Sequence, residues 1–156
     1  MGMGPLPQEP VRAPRAGDEF QGSEHRGASS SRRLTPEQRA VARMARARWA
    51  EDLVARFYES NGYQIVARNW HCREGELDIV AIMASATGTI IAVVEVKARA
   101  TSSFGSPLEA ITHTKQKKLR IATTKFLATR PELHGELRFD VAAVLGSQLK
   151  VLPNAF

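Results

Sequence analysis

Two neighbouring apolar segments that carry three carboxylates and a lysine constrain the fold of this chain most. The segments are Gly75–Ile82 and Ile90–Lys97, both rich in β-branched residues, and the small residues Ser85–Gly88 lie between them. Apolar, β-branched runs joined by a short turn-forming segment are typical of a β-hairpin. The sequence therefore predicts a hairpin with charged side chains on both strands.

Symmetric pairing about that turn gathers the charges on one patch. It sets Asp78 opposite Glu95, and Glu76 opposite Lys97, with the Cβ atoms of each pair about 4.5–5.5 Å apart. Because side chains alternate between the faces of a strand, Glu95, Lys97 and Arg99 share a face. Opposed carboxylates repel unless a cation or a shared proton compensates. A divalent metal that prefers oxygen ligands is the simplest compensator.

A solvated hairpin face is the alternative interpretation of the same charges. An ordinary cross-strand ion pair explains Glu76 with Lys97. It does not explain why Asp78 should face Glu95, because like charges directly opposite each other destabilise a sheet. The hairpin alone leaves both interpretations open.

Composition favours one small basic domain. The chain of 156 residues suits a single domain with a modest core. Its 22 Lys and Arg against 16 Asp and Glu give a net charge of +6, which favours a polyanionic partner such as nucleic acid. The single Cys72 excludes an internal disulfide and fits a reducing compartment. Because no apolar run approaches a membrane span or a signal core, we expect a cytoplasmic protein.

Two parts of the chain differ in composition. Residues 1–34 hold most of the prolines, several glycines and few large apolar side chains, so we expect a disordered basic tail. Residues 35–156 form the predicted domain, which opens with a helix over residues 35–61.

One face of this first helix is predicted to pack on a sheet. Trp49, Leu53 and Phe57 recur every four residues and form an apolar stripe. Glu51 lies at the edge of the stripe, where its carboxylate could lean over the sheet.

The remaining chain predicts a mixed sheet flanked by helices, an α/β fold in the order α-β-β-β-α-β-β. A crossover helix joins the third and fourth strands. The predicted strands cover residues 63–70, 75–83, 89–99, 138–145 and 149–152, and the second helix covers residues 107–128.

With these motifs in place, the chain resembles the PD-(D/E)XK nuclease superfamily, which has the restriction endonuclease-like core. Within it, the chain is similar to the YraN family of bacterial proteins. The matching stretches are Gly62-Tyr63, Arg68-Asn69-Trp70, Gly75-Glu76-Leu77-Asp78, Glu95-Val96-Lys97-Ala98-Arg99, Phe104-Gly105, Arg138-Phe139-Asp140 and Asn154-Ala155-Phe156. Trp49 is bulkier than the resemblance leads us to expect.

The resemblance implies an active site made of Asp78, Glu95 and Lys97, with Glu51 as a further acidic member. It implies that Mg²⁺ or Mn²⁺ is held by Asp78, Glu95, Glu51 and the Val96 carbonyl. The implied function is a metal-dependent nuclease that hydrolyses phosphodiester bonds in DNA, with branched or junction DNA as one version. The alternative is a catalytically silent nucleic-acid-binding module of the same fold.

Basic residues near the predicted site suggest how nucleic acid is held. Arg99, Lys115, Lys118 and Arg120 are the candidates for phosphate contacts. DNA is favoured over RNA, and cutting of two strands by paired subunits is compatible with a homodimer. A protein-interaction scaffold with a basic face ranks last, because it leaves the carboxylate pair unexplained.

Overall fold

A computed structural model describes residues 33–99 and 111–156. Its elements follow the predicted order: α1 (Pro36–Ser60), β1 (Gln64–Cys72), β2 (Gly75–Ser85), β3 (Gly88–Arg99), α2 (His113–Ala128), β4 (Glu136–Leu145) and β5 (Gln148–Leu152). All but the last two residues of the predicted tail, and the Phe104-Gly105 motif, lie outside the described residues. The boundary of the tail therefore stays a prediction.

The five strands form one mixed sheet in the order β1-β2-β3-β4-β5. Neighbouring strands are antiparallel except β3 and β4, which are parallel. Parallel neighbours need a crossover connection, and α2 lies in it, as the sequence predicts. The arrangement is consistent with a restriction endonuclease-like fold. Neither described helix has the length and apolarity that crossing a membrane requires.

The β2–β3 hairpin has the predicted register. Its paired residues run from Ile79 with Val94 to Ser85 with Gly88. The turn is shorter than the four-residue loop considered from the sequence, because Ser85 and Gly88 pair and leave only residues 86 and 87 between them.

Side-chain caps fix where both helices begin. The Gln38 N–H donates to Thr35 Oγ1 at 3.2 Å, and the Thr35 N–H donates to Gln38 Oε1 at 2.9 Å, forming the expected capping box. At α2, the Lys115 N–H donates to Thr112 Oγ1 at 3.3 Å. The predicted start of α2 at residue 107 is therefore wrong, because Ile111 and Thr112 precede the helix.

The predicted apolar stripe of α1 is wrong in part. Trp49 and Phe57 are 45% and 40% exposed, while Leu53 is half-buried. The buried residues of α1 are Ala50, Val54, Ala55 and Tyr58. The small Ala50 lets the helix approach the sheet closely, and Tyr58 turns inward to a buried polar partner.

That partner is Asp140 on β4, which is fully buried. It accepts hydrogen bonds from the Tyr58 hydroxyl at 2.7 Å, from Arg138 Nε at 2.9 Å and from the Asn154 N–H at 2.9 Å. The Arg138 guanidinium also donates to the Tyr63 hydroxyl at 2.9 Å. Burial, followed by the hydrogen bond to Asp140, raises the pKa of Tyr58 above its usual range. The network joins α1, β4 and the end of the chain.

We expect Asp140→Ala to lower the free energy of unfolding by about 3–5 kcal/mol. The substitution removes the acceptor of the Tyr58 hydroxyl and leaves the partly buried charge of Arg138 without its carboxylate partner. Urea unfolding followed by circular dichroism measures this loss. The control is Glu136→Ala, an exposed position on the same strand, which should change stability by less than about 0.5 kcal/mol. Equal effects of the two substitutions would contradict the role given to Asp140.

Candidate functional site

The β2–β3 hairpin opens at Asp78. The last paired residues at this end are Ile79 and Val94, one step before Asp78 and Glu95 would pair. The Val96 N–H donates to Asp78 Oδ2 at 2.8 Å. A side-chain carboxylate therefore occupies the place of a main-chain acceptor, which holds Asp78 against β3 beside Glu95.

Glu95 is a buried carboxylate, with only 3% of its surface exposed. Its Oε1 accepts a hydrogen bond from Lys97 Nζ at 2.7 Å and lies 3.2 Å from Lys115 Nζ. Its Oε2 is buried and has no hydrogen-bond partner among the described residues, a state shared only with Oε2 of Glu74. A buried oxygen without a donor is costly, and a bound cation would satisfy it.

The two carboxylates influence each other. Burial, and next the negative charge of Glu95, raise the pKa of Asp78 to about 7. The Val96 N–H and Lys115 oppose this rise, because both stabilise the ionised form. With this raised pKa, Asp78 is only partly ionised near neutral pH, and a divalent cation would displace the proton that remains.

Glu76 has partners other than the one predicted for it. Its Oε2 lies 3.3 Å from Nε2 of His71, the residue that pairs with Glu76 in β1. Its Oε1 lies 4.0 Å from Lys115 Nζ. Lys97 pairs with Glu95 instead. The predicted Glu76–Lys97 pair is wrong because the β2–β3 pairing ends at Ile79, before it reaches these residues.

Glu51 leans over the sheet, at β1. Its Oε2 accepts a hydrogen bond from Asn69 Nδ2 at 2.8 Å. Asn69 has a positive φ of 49°. Its neighbours Arg68 and Trp70 pair with Ile79 and Leu77, so Asn69 lies opposite Asp78 in the adjacent strand. No three His, Cys, Asp or Glu side chains within residues 33–99 and 111–156 are grouped to hold a metal. The structure thus brings Asp78 and Glu95 together, and holds Glu51 apart from them at Asn69.

The hydrogen bond of Asn69 with Glu51 could not be foreseen from the sequence. The only local signal is its place in the Arg68-Asn69-Trp70 motif, since asparagine tolerates a positive φ better than most residues.

One of the predicted phosphate-binding lysines, Lys115, contacts the carboxylates, and a second, Lys118, lies further along α2. Lys115 contacts Glu95 and Glu76 directly. An open cavity of about 320 Å³ is lined by Lys115 and Lys118 together with His71, Arg73 and the acidic Glu74 and Glu76. This arrangement can offer positive charge to an anion next to the carboxylate pair.

The two predicted arginines lie elsewhere. Arg120 packs over the rings of Phe139 and Phe156, with its guanidinium carbon 4.8 Å and 5.6 Å from their centroids. Arg99 lines a separate cavity that also contains Trp49. Of the four predicted phosphate contacts, only Lys115 therefore lies at the carboxylate pair.

The chain is similar to a family of bacterial proteins. A family model described as "Uncharacterised protein family UPF0102" matches residues 50–144. The UPF0102 protein of Leifsonia xyli subsp. xyli is 44% identical over 100 residues, which are 64% of this chain and 81% of that protein. The UPF0102 protein of Nocardia farcinica is 46% identical over 95 residues, 61% of this chain and 72% of that protein. That of Alkaliphilus metalliredigens is 37% identical over 109 residues, 68% of this chain and 92% of that protein. The matched region contains every predicted catalytic residue.

We expect the carboxylate pair to make the metal-free protein less stable as the pH rises. Because the pKa of Asp78 is raised from 3.8 to about 7, the folded protein binds more protons than the unfolded chain between these pH values. The free energy of unfolding then falls with pH, by up to about 1.4 kcal/mol per pH unit. This contribution is absent in Asp78→Asn. The free energy of unfolding of the variant, relative to that of the wild type, should therefore increase from pH 5 to pH 7.

Urea unfolding in EDTA across this range measures the effect. Glu59→Gln, at an exposed position of α1, is the control and should follow the wild type. Parallel pH profiles of the wild type and Asp78→Asn would show that the pKa of Asp78 is not raised.

Proposed function

The chain belongs to the uncharacterised protein family UPF0102, the YraN family that its motifs resemble, and from this premise we propose that it is a metal-dependent nuclease acting on DNA. The buried, unpartnered Oε2 of Glu95 carries the proposal. It lies beside a second carboxylate, Asp78, and the repulsion between the two carboxylates favours the binding of a further cation. A hard divalent cation suits these oxygen ligands.

The residues that would hold Mg²⁺ or Mn²⁺ are Asp78, Glu95 and the Val96 carbonyl. Glu51 is the further candidate ligand, and its Oε2 accepts a hydrogen bond from Asn69. When bound, the ion would supply an acidified water and offset charge on the phosphoryl oxygens. The Val96 N–H keeps Asp78 Oδ2 oriented at 2.8 Å, which leaves the other carboxylate oxygen for a ligand.

Lys97 and Lys115 supply the positive charge of the site. Both ammonium groups contact Oε1 of Glu95. Lys97 shares a strand face with Glu95, where its ammonium would orient a nucleophilic water and stabilise the charge that develops on a phosphate. Lys115 reaches the same oxygen from α2 and can turn to a phosphate that binds there.

The second candidate is a nucleic-acid-binding module that does not cut. Two lysines already neutralise Glu95, and the described residues contain no group of three carboxylate, histidine or cysteine ligands. Both observations favour this alternative. The two candidates differ in a single result, which is cleavage that depends on Asp78.

We expect wild-type protein to cut labelled DNA in Mg²⁺ or Mn²⁺, and Asp78→Ala and Lys97→Ala to lose at least about a hundredfold in rate, because they remove a metal ligand and the charge facing the phosphate. The substrates are single-stranded, duplex, flap and four-way-junction DNA, with RNA alongside. Lys117→Ala, an exposed lysine of α2, is the control and should cut at the wild-type rate.

Binding of the same substrates in EDTA must be retained by these variants for the loss to be assigned to catalysis. If the wild type binds in a salt-sensitive way but cuts nothing, the binding module replaces the nuclease.

We also expect Lys115→Met to bind Mn²⁺ more tightly than the wild type, by a few-fold and up to about tenfold, because it removes a cation that competes for Oε1 of Glu95. Asp78→Asn and Glu95→Gln should bind Mn²⁺ too weakly to measure. Isothermal titration calorimetry supplies the affinities. Lys118→Met, at an exposed position one turn along α2, is the matched control. Weaker binding by Lys115→Met than by this control would contradict the competition.

A further inference from the structure

A second cavity, of about 520 Å³, lies between α1, the end of β3 and the β4–β5 turn. Trp49 and Arg46 line it from α1, Arg99 from β3, and Gly146 from the turn. It therefore combines a large aromatic ring with two guanidinium groups. No step of the proposed hydrolysis uses these residues.

Trp49 is only partly buried. It is 45% exposed, whereas the neighbouring Ala50 is fully buried against the sheet. The other tryptophan, Trp70, packs against a cluster of buried apolar residues, where its ring lies 5.5 Å from that of Phe126. Trp49 thus leaves much of its ring available to a partner, and a flat aromatic ring beside cations suits a nucleobase with its phosphates.

The cavity lies at the same end of the sheet as the carboxylates. Arg99 follows Lys97 by two residues on β3, which is about 7 Å along a strand. Trp49 precedes Glu51 by two residues on α1. A nucleic acid strand of several nucleotides that crosses this end of the sheet would therefore contact both the carboxylates and the cavity.

The chemistry of the cavity selects an unpaired base. In a duplex, both faces of a base are covered by its neighbours, so a side chain stacks only on a base that has left the helix or lies in a single strand. A second copy of this chain is a poorer occupant, because a two-fold contact through this patch would bring the arginines of both copies together.

We propose that Trp49, Arg46 and Arg99 form a stacking site for an unpaired base, so that the preferred substrate has a single-stranded segment next to the bond to be cut. The inference rests on the proposed function for the position of the cut, but the stacking itself does not require cleavage. It names a ligand class, single-stranded nucleic acid, that the carboxylate site alone does not specify.

Fluorescence anisotropy in EDTA tests the site without cleavage. The probes are a labelled oligo-dT of about 12 nucleotides and a blunt duplex of equal length. Trp49→Ala should bind the single strand about five- to a hundredfold more weakly, with a smaller change for the duplex. Trp49→Phe, which keeps a ring, should stay close to the wild type. Met44→Ala is the matched control, because Met44 is also exposed on α1 but does not line the cavity.

Two further measurements guard against a folding defect. Thermal unfolding must give the same midpoint for the wild type and Trp49→Ala. Oligo-dT should quench tryptophan fluorescence in the wild type but not in Trp49→Phe, where only Trp70 remains.

Unchanged single-strand affinity of Trp49→Ala, an equal loss for both probes, or no single-strand binding by the wild type would each overturn the inference. A dimer that dissociates in Trp49→Ala, with binding intact, would do the same and assign the patch to a second copy. Cleavage is measured separately. If cutting depends on Asp78 but single-strand binding does not depend on Trp49, only the stacking site is rejected. If binding depends on Trp49 but the protein does not cut, only the nuclease is rejected.

Discussion

The hydrogen bond from the Val96 N–H to Asp78 is the interaction on which the candidate site depends. It forms where the β2–β3 pairing ends, and it exchanges a main-chain acceptor for a carboxylate. Because Asp78 is held there, Glu95 on β3 lies close enough to raise its pKa. The carboxylate pair is thus a product of strand geometry, and it leaves a buried oxygen without a donor.

The rest of the fold supplies the stability that such a pair costs. The two helices bury separate apolar clusters on opposite faces of the sheet. Around Asp140, the motifs Arg138-Phe139-Asp140 and Asn154-Ala155-Phe156 contact each other, since the Ala155 N–H donates to the Phe139 carbonyl at 2.7 Å and the rings of Phe139 and Phe156 stack at 5.2 Å. These two motifs therefore maintain the fold and lie apart from the chemistry of the carboxylates.

The order of elements and the hairpin register could be predicted because they follow from local patterns, such as the turn at residues 85–88. The buried face of α1 could not be predicted, because the sequence gives Trp49 the spacing of a core residue. The hydrogen bond from Tyr58 to Asp140 instead turns a neighbouring face of the helix towards the sheet. Nor could the hairpin alone place Lys115 at Glu95. That contact depends on how a crossover helix lies over the sheet, which no short-range spacing encodes.

The contact between Lys115 and Glu95 has a consequence for the resting protein. Two carboxylates that bind a divalent ion repel each other while the ion is absent. Here Lys97 and Lys115 already compensate the charge of Glu95. Under the proposed function, binding of a divalent ion would exchange one cation for another. The protein would then fold without the ion and bind it later, and a phosphate that draws Lys115 away from Glu95 would free the site for the ion.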